Sequence, residues 1–508
     1  MEPNVSTAAR PQTGSFWVNL SVDRSREEPL QRQLFEQIRA GILRGSLAPG
    51  VRLPASRLLA AEVGCSRNTV LEVLGQLIAQ GYLQSVRGAG IFVARDLPDE
   101  TLSVAAPAPD REQEAADGAL PKLSARGLAV ATARLGNPGG RHVAFSPSMP
   151  DVSLFPLATW MQLTAREWRE HGAELLTESD PRGFEPLRHA VAEYVNAARG
   201  VACDADQVLI TAGAQQGIDL AARLLLDPGD RAWVEDPGYP AIRELFRAAG
   251  ADVVPVPLDA DGLTLERVAS KAPRVIAVSP SHQFPTGVTM SRERRVELLE
   301  YAERTGAWII EDDYDSEFRY EGRPLGALAG MGAIARARVI YVGTFSKMLF
   351  PAIRLGFLVV PKHLASRFSR ARVVVDLQPG IFAQPALARF IREGRLATHV
   401  RHMRRIYRQR QQTLLELLAT QAGELFATRA DPAGMHLVAD FLPQLSERYD
   451  DRRAAEIVGR RGVNAPPMSM YFAEPPSGNG GFILGYACVD EAALRAATAL
   501  MVEALRAP

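Results

Sequence analysis

The sequence predicts an α/β protein in two parts: a small winged helix-turn-helix head and a large domain built on an open, helix-covered sheet. Three observations carry this. Helix, helix, tight turn, helix and β-hairpin patterns follow one another between Leu30 and Val93. Residues 96 to 140 are rich in Ala, Pro, Asp and Glu and show no periodicity. From about Arg141 onward, apolar strands alternate with amphipathic helices, the pattern of a sheet covered on both faces.

Length and composition fit this division. A chain of 508 residues suggests two or three domains. Hydrophobic residues at 47% and charged residues at 23% are ordinary for a globular protein. Lys+Arg and Asp+Glu number 58 each, so the whole chain has no excess charge to draw a polyanion. The local distribution is different. Pro29–Arg95 holds eight arginines and three acids, a balance of +5, whereas Asp96–Gly118 holds seven acids and one arginine, a balance of −6. Three distant cysteines, Cys65, Cys203 and Cys488, match neither a disulfide framework nor a zinc pattern and suggest a reducing compartment. With no apolar signal core and no long uncharged apolar run, the chain reads as soluble and cytoplasmic, without a membrane span or bound metal.

The head is expected over residues 24–95. Residues 1–22 carry no periodic pattern. Leu34, Ile38 and Ile42 recur at helical spacing until Gly45 stops the helix. A short helix runs from about Ser56 to Val63 and ends at Gly64. Ser66 can cap the next helix, which runs to about Gln80. Tyr82–Val86 and Ile91–Val93 read as strands around the turn Arg87-Gly88-Ala89-Gly90. In such a motif the N-terminal residues of the second helix reach base edges in the major groove. Arg67 can pair with guanine and Asn68 with adenine, while Ser66 or Thr69 can reach phosphate. Arg57 and Arg87, on the preceding helix and the wing, are placed for backbone or minor-groove contacts. The run Arg52-Leu53-Pro54-Ala55-Ser56-Arg57-Leu58-Leu59-Ala60, continued by Gly64-Cys65-Ser66-Arg67-Asn68-Thr69-Val70, resembles the GntR-type winged helix. That resemblance implies a double-stranded DNA operator as partner. Residues 96–140 read as a flexible acidic linker.

In the large domain, strands are expected at Gln207–Thr211, Arg231–Glu235, Val253–Val256, Val275–Ser279, Ala307–Asp312, Val339–Gly343 and Gly356–Val360. Helices such as Gln215–Leu226 and Arg292–Thr305 lie between them. A long helix around Val400–Leu418 then leads into a smaller α/β lobe. Ligands in such sheets collect at the carboxyl ends of strands, and the chemically suggestive residues fall there. Lys347 sits among small hydroxylated and apolar residues, where partial desolvation and a nearby cation ease loss of its proton, as a Schiff-base nucleophile requires. Thr344, Ser346 and Arg354 are donors suited to a phosphate monoester. The turn Thr211–Gly217 can present backbone N–H groups near Ala214 and Gln215 to the same phosphate. Tyr239 can stack on a flat ring, and His282 and Gln283 lie on a polar turn. Strand alternation puts Asp312 and Tyr314 on one face, which favours Asp312 for a protonated ring nitrogen and Tyr314 for a ring hydroxyl; Asp313 is the alternative to Asp312.

Together these are the parts of a pyridoxal phosphate site. The chain over 141–508, with its loop Ser179-Asp180-Pro181-Arg182-Gly183-Phe184-Glu185-Pro186-Leu187-Arg188, resembles the fold type I aminotransferases. The resemblance implies a Schiff base on Lys347, Asp312 at the pyridine nitrogen, Tyr314 at the ring oxygen and Tyr239 stacked on the ring. It implies Ala214, Gln215, Thr344, Ser346 and Arg354 around the phosphate. A GntR-like head joined to such a domain is similar to the MocR/GabR class of transcriptional regulators. That resemblance implies a head-to-tail homodimer that senses an amine, an amino acid or a B6 vitamer. Three positions depart from the enzymes or from the GABA-sensing member. Phe284 stands where aminotransferases place an Asn, Gly481–Tyr486 lacks the arginine that clamps a substrate carboxylate, and Ala241 occupies the slot nearest a second arginine, with Arg243 two residues later. These departures favour sensing over full transamination and count against GABA; a working aminotransferase with an appended head is the alternative.

Overall fold

The computed structural model describes residues 20–26, 28–97, 123–133, 143–177, 180–266, 272–322, 325–474 and 480–507. The chain divides into two compact units, Met1–Pro121 and Lys122–Pro508.

The first unit contains helices α1 (Leu30–Leu43), α2 (Ser56–Val63) and α3 (Arg67–Ala79), then strands β1 (Leu83–Val86) and β2 (Gly90–Val93). Leu34, Ile38 and Ile42 of α1 are buried together with Leu59, Val63, Val70, Val73, Leu74 and Leu77. One apolar stripe per helix thus builds a single small core. Gly64 ends α2 in the left-handed region at φ 73, where a side chain would be strained. The hairpin pairs Leu83 with Val93 and Val86 with Gly90. Arg52 bridges to Phe92, which ties the segment before α2 to the wing.

The second unit begins with a helix that the sequence did not suggest. Within the segment expected to be unpatterned linker, α4 (Ala125–Ala131) is capped by Ser124, whose hydroxyl accepts from Gly127 N. Its seven residues, Ala-Arg-Gly-Leu-Ala-Val-Ala, are too few to show the periodicity that marks an amphipathic helix. Residues 98–122 and 134–140 of that segment lie outside the described residues.

Next come α5 (Leu157–Leu175), α6 (Glu185–Arg199), β3 (Val208–Thr211), α7 (Ala214–Leu225), β4 (Arg231–Asp236), α8 (Pro240–Ala248), β5 (Asp252–Asp259) and β6 (Gly262–Leu263). After them lie β7 (Val275–Val278), α9 (Arg292–Thr305), β8 (Trp308–Asp313), α10 (Gly332–Arg338), β9 (Val339–Thr344), β10 (Gly356–Val359), α11 (Lys362–Val375) and α12 (Gln384–Arg392). The sheet order is β3-β10-β9-β8-β7-β4-β5-β6. Strands β9, β8, β7, β4 and β5 pair in parallel, and β10 is antiparallel to both β9 and β3. The carboxyl ends of β3, β4, β7, β8 and β9 therefore share one edge of the sheet. Alternation divides the strand residues between two cores. Ile309, Tyr341 and Phe357 join one cluster with residues of α6. Ile310, Val342 and Leu358 join the other with residues of α7 and α11.

Helix α13 (Arg395–Ala422) is longer at both ends than its apolar repeat indicates, because Gly394 precedes it and Gly423 follows. It leads into a lobe of three antiparallel strands, β11 (Phe426–Thr428), β12 (His436–Phe441) and β13 (Gly481–Gly485), with α14 (Asp451–Arg460) and α15 (Glu491–Arg506). None of the described helices is long and apolar enough to cross a membrane.

Candidate functional site

Five strand-end turns bring the predicted residues of the large domain to one place. After β3, Gly213 takes φ +100 and starts α7 at Ala214. A Cβ at Gly213 would lie 3.3 Å from Arg354 Nη2, and one at Gly356 would lie 2.8 Å from the Gly213 carbonyl carbon. Only glycines permit this close approach of the β10 strand to the α7 turn. Arg354, in the left-handed region at φ 47, turns its guanidinium back to donate to Ala212 O at 2.7 Å. A guanidinium thus stands at the N-terminus of α7, where backbone N–H groups and the helix dipole already favour an anion. Thr344 and Ser346 are buried at the end of β9, with Ser346 N donating to Thr344 Oγ1 at 3.2 Å. Gln215 is exposed on the first turn of α7.

Lys347 follows β9 and donates from Nζ to Ser148 O at 2.7 Å. Burial lowers the pKa of its ammonium; Asp315 and Asp312 pull it back up, and Arg354 lowers it further. Asp312, next to last in β8, lies on the α7 face of the sheet. Burial, then Asp313 and Asp315, push its carboxyl up to about 7, against the pull of Lys347. Its Oδ1 is buried without a hydrogen-bond partner among the described residues. An orphaned buried carboxylate oxygen costs free energy unless a donor meets it. Tyr239, 42% exposed, feels both Asp312 and Arg354. Its ring meets Phe284 edge-on at 5.9 Å, and Phe284 meets Tyr314 in the same way at 5.9 Å. Tyr314 Oη lies 2.9 Å from His282 Nδ1.

Asp313, one residue on, faces the other side of the sheet. Its Oδ2 accepts from Arg199 Nε at 2.7 Å and from the Tyr341 hydroxyl at 2.6 Å. Asp313 Oδ2 thus has two partners, whereas Asp312 Oδ1 has none among the described residues.

Several participants were not anticipated. Ser148, which receives the Lys347 bond, lies 199 positions away and carried no motif. Glu235 at the end of β4 accepts from Ser279 N and Gln283 Nε2, and burial pushes its carboxyl up to about 8. Asp431 of the small lobe meets His282. On β13, the strand without an arginine, Ile483 is buried against Phe284, Tyr314 and Tyr471.

In the head, Arg57, Arg67, Asn68 and Arg87 are all exposed. Arg67 Nε lies 3.4 Å from Ser56 Oγ. Ser66 caps α3: its hydroxyl accepts from Thr69 N at 3.1 Å and is bonded to Thr69 Oγ1 at 2.8 Å. The phosphate contact expected of Ser66 or Thr69 would therefore compete with the cap. The guanidinium of Arg52, the first residue of the GntR-like run, lies against Gly90 of the wing, 3.1 Å from where a Cβ would stand.

Comparison with known proteins agrees with both halves. Residues 30–93 match the model of bacterial regulatory proteins of the gntR family, and residues 149–497 match that of aminotransferase class I and II. The chain is 40% identical over 476 residues to the probable rhizopine catabolism regulatory protein MocR of Rhizobium meliloti, covering 94% of each. The chain belongs to the MocR family of GntR-type transcriptional regulators. This MocR-type chain is also 32% identical over 465 residues to the pyridoxine biosynthesis regulator PdxR of Corynebacterium glutamicum, covering 91% of this chain and 93% of that relative. Among solved structures it is similar to the kynurenine aminotransferase of Pyrococcus horikoshii, with TM-score 0.65, 27% identity and coverage of 74% of this chain and 92% of that one.

Proposed function

We propose that this regulator binds pyridoxal phosphate on Lys347 and senses an amine, an amino acid or a B6 vitamer through that site. The observation that carries the reading is the orphaned Asp312 Oδ1, buried and electrostatically coupled to Lys347. A pyridinium N–H is the donor that such an oxygen lacks. The anion-favouring turn at Ala214, with Gln215, Thr344, Ser346 and Arg354, suits the phosphate, and Tyr239 suits the ring face. Tyr314 suits the ring oxygen. When bound, the cofactor supplies an electrophilic carbon that can exchange between the lysine amine and a ligand amine.

The chain's own residues set the conditions for that exchange. Burial keeps a fraction of Lys347 neutral and nucleophilic. The bond to Ser148 O orients Nζ. Phe284, Tyr471 and Ile483 form an apolar wall where, by resemblance, an enzyme would present an Asn and a carboxylate-clamping Arg. That wall favours sensing over turnover and favours amines over α-amino acids.

The head binds duplex DNA, with Arg67 and Asn68 reading base edges and Arg57 and Arg87 on the backbone or minor groove. A head-to-tail homodimer would present two heads to two half-sites. Support for association comes from exposed apolar side chains on the second unit, including Val374 at 86% and Phe382 at 67% exposure. The test is spectroscopic: the loaded protein should show an absorption band near the visible edge that Lys347→Ala abolishes.

A further inference from the structure

Between the large sheet and the small lobe stands a group that the reading above leaves unused. His282, on the turn after β7, is only 2% exposed. Its Nδ1 lies 3.0 Å from Asp315 Oδ2 and 2.9 Å from Tyr314 Oη, and its Nε2 lies 3.2 Å from Asp431 Oδ2. An ionised carboxylate can only accept, so a ring nitrogen facing one must carry hydrogen. Both nitrogens face one, so with Asp315 and Asp431 ionised the ring is an imidazolium; burial raises the Asp315 carboxyl, and the His282 charge draws it back down. Burial opposes that charge, but Asp315 and Asp431 override it and push the pKa up to about 10. The remaining titratable groups around the ring are Tyr314 and His436. The His436 ring centroid is 5.5 Å away, and its pKa is held at about 4 by burial and then by the His282 charge.

Two glycines reserve the space. A Cβ at Gly434 would lie 2.2 Å from His282 Cε1, and one at Gly287 would lie 1.9 Å from Asp431 Oδ2. Both glycines also take positive φ, +94 and +74. Side chains at either position would displace the imidazole or its partner.

The consequence falls on Tyr314. The single Nδ1 hydrogen points between Asp315 and the phenol, so Tyr314 Oη accepts it. The phenol's own proton is then free for another acceptor, because His282 is its hydrogen-bond partner among the described residues. Burial and the carboxylates around it keep that phenol protonated, its pKa well above the ordinary value.

We propose that His282 is a positioning residue: a buried cation that fixes Tyr314 as a hydrogen-bond donor toward the ring oxygen of the bound cofactor. The proposal rests on the reading of Tyr314 as the ring-oxygen ligand.

The test uses the cofactor-loaded full chain and the pH midpoint of its near-visible band. A donor to the ring oxygen stabilises the oxygen anion and opposes protonation of the neighbouring lysine-linked nitrogen, so losing the donor raises the midpoint. His282→Gln, whose amide reaches toward the Nε2 position, should raise it by about one unit. His282→Asn places an amide nitrogen near the Nδ1 position and should raise it less. In a Tyr314→Phe background, His282→Gln should add no further shift. Equal shifts in the two single variants, no shift in either, or an additive shift in the double variant would overturn the proposal. If His282→Gln does not fold, wild-type protein labelled with 15N-histidine decides the matter. Both ring nitrogens of His282 should be protonated at about pH 8, and a neutral imidazole there contradicts the proposal. A wild-type protein that shows no near-visible band contradicts the cofactor reading instead, while the nitrogen spectrum still decides the charge on His282.

Discussion

Arg199 Nε stands 2.7 Å from Asp313 Oδ2, with the two side chains 5% and 2% exposed. The neighbouring carboxylate of Asp312 has an oxygen with no partner among the described residues. Adjacent acids at the end of one strand therefore do different work. Asp313→Asn strands a buried guanidinium and should destabilise the domain by about 3–5 kcal/mol. Asp312→Asn should leave the denaturation midpoint of the cofactor-free protein near or above wild type while weakening cofactor retention. Paired denaturation and cofactor-dialysis measurements check this, and the opposite pattern would reverse the assignment.

The head separates reading from holding. Arg67→Ala should cost about 1–3 kcal/mol at the specific operator and much less on random duplex. Arg57→Ala should weaken both alike and flatten the salt dependence. Equal losses for Arg67→Ala on both DNAs would contradict base reading.

Ser66→Ala removes a helix cap and should cost the head about 1 kcal/mol of stability. Because the Ser66 hydroxyl is already bonded to Thr69, the loss should appear in thermal unfolding without a change in operator preference. A large change in preference with no change in stability would assign Ser66 to the DNA.

The cofactor-free protein should lose stability as pH rises from about 4 to about 8 and, through His282, onward toward about 10. Burial pushes Asp312 and Glu311 up to about 7 and Glu235 up to about 8. An unfolded carboxyl titrates near about 4, so across this window the folded chain holds more protons, and stability falls as pH rises. His282, raised to about 10, adds the same sign: its contribution is complete below about 6.5 and is lost toward the folded pKa. Thermal unfolding between about pH 5 and 9 checks this. Asp312→Asn should gain on wild type at the alkaline end and not at the acid end.

The two-part architecture was legible because both halves repeat simple periods. The Leu34, Ile38, Ile42 stripe and the Gly64 stop define the head, and alternation of apolar strands with helices defines the sheet. Strand parity predicts one face for Asp312 and Tyr314, but β8 ends at Asp313, so Tyr314 lies beyond the strand. Parity could not say which face looks toward Lys347, since that depends on Arg199 and Tyr341 claiming Asp313 from the far side. Long-range partners were invisible for a similar reason: Asp431 lies 149 positions from His282, and Ser148 lies 199 from Lys347. Helix α4 was missed because seven residues with a single charged side chain, Arg126, are too few to betray a period.

The central claim is that occupancy of Lys347 governs the DNA-binding head. The direct measurement is a titration of the cofactor-loaded protein with a panel of amines and amino acids, following the near-visible band and operator binding in the same samples. At least one amine should displace the band and shift operator affinity over the same concentration range, and Lys347→Ala should show neither response. A band that responds while operator affinity stays constant, or operator binding that responds equally in Lys347→Ala, would contradict the account.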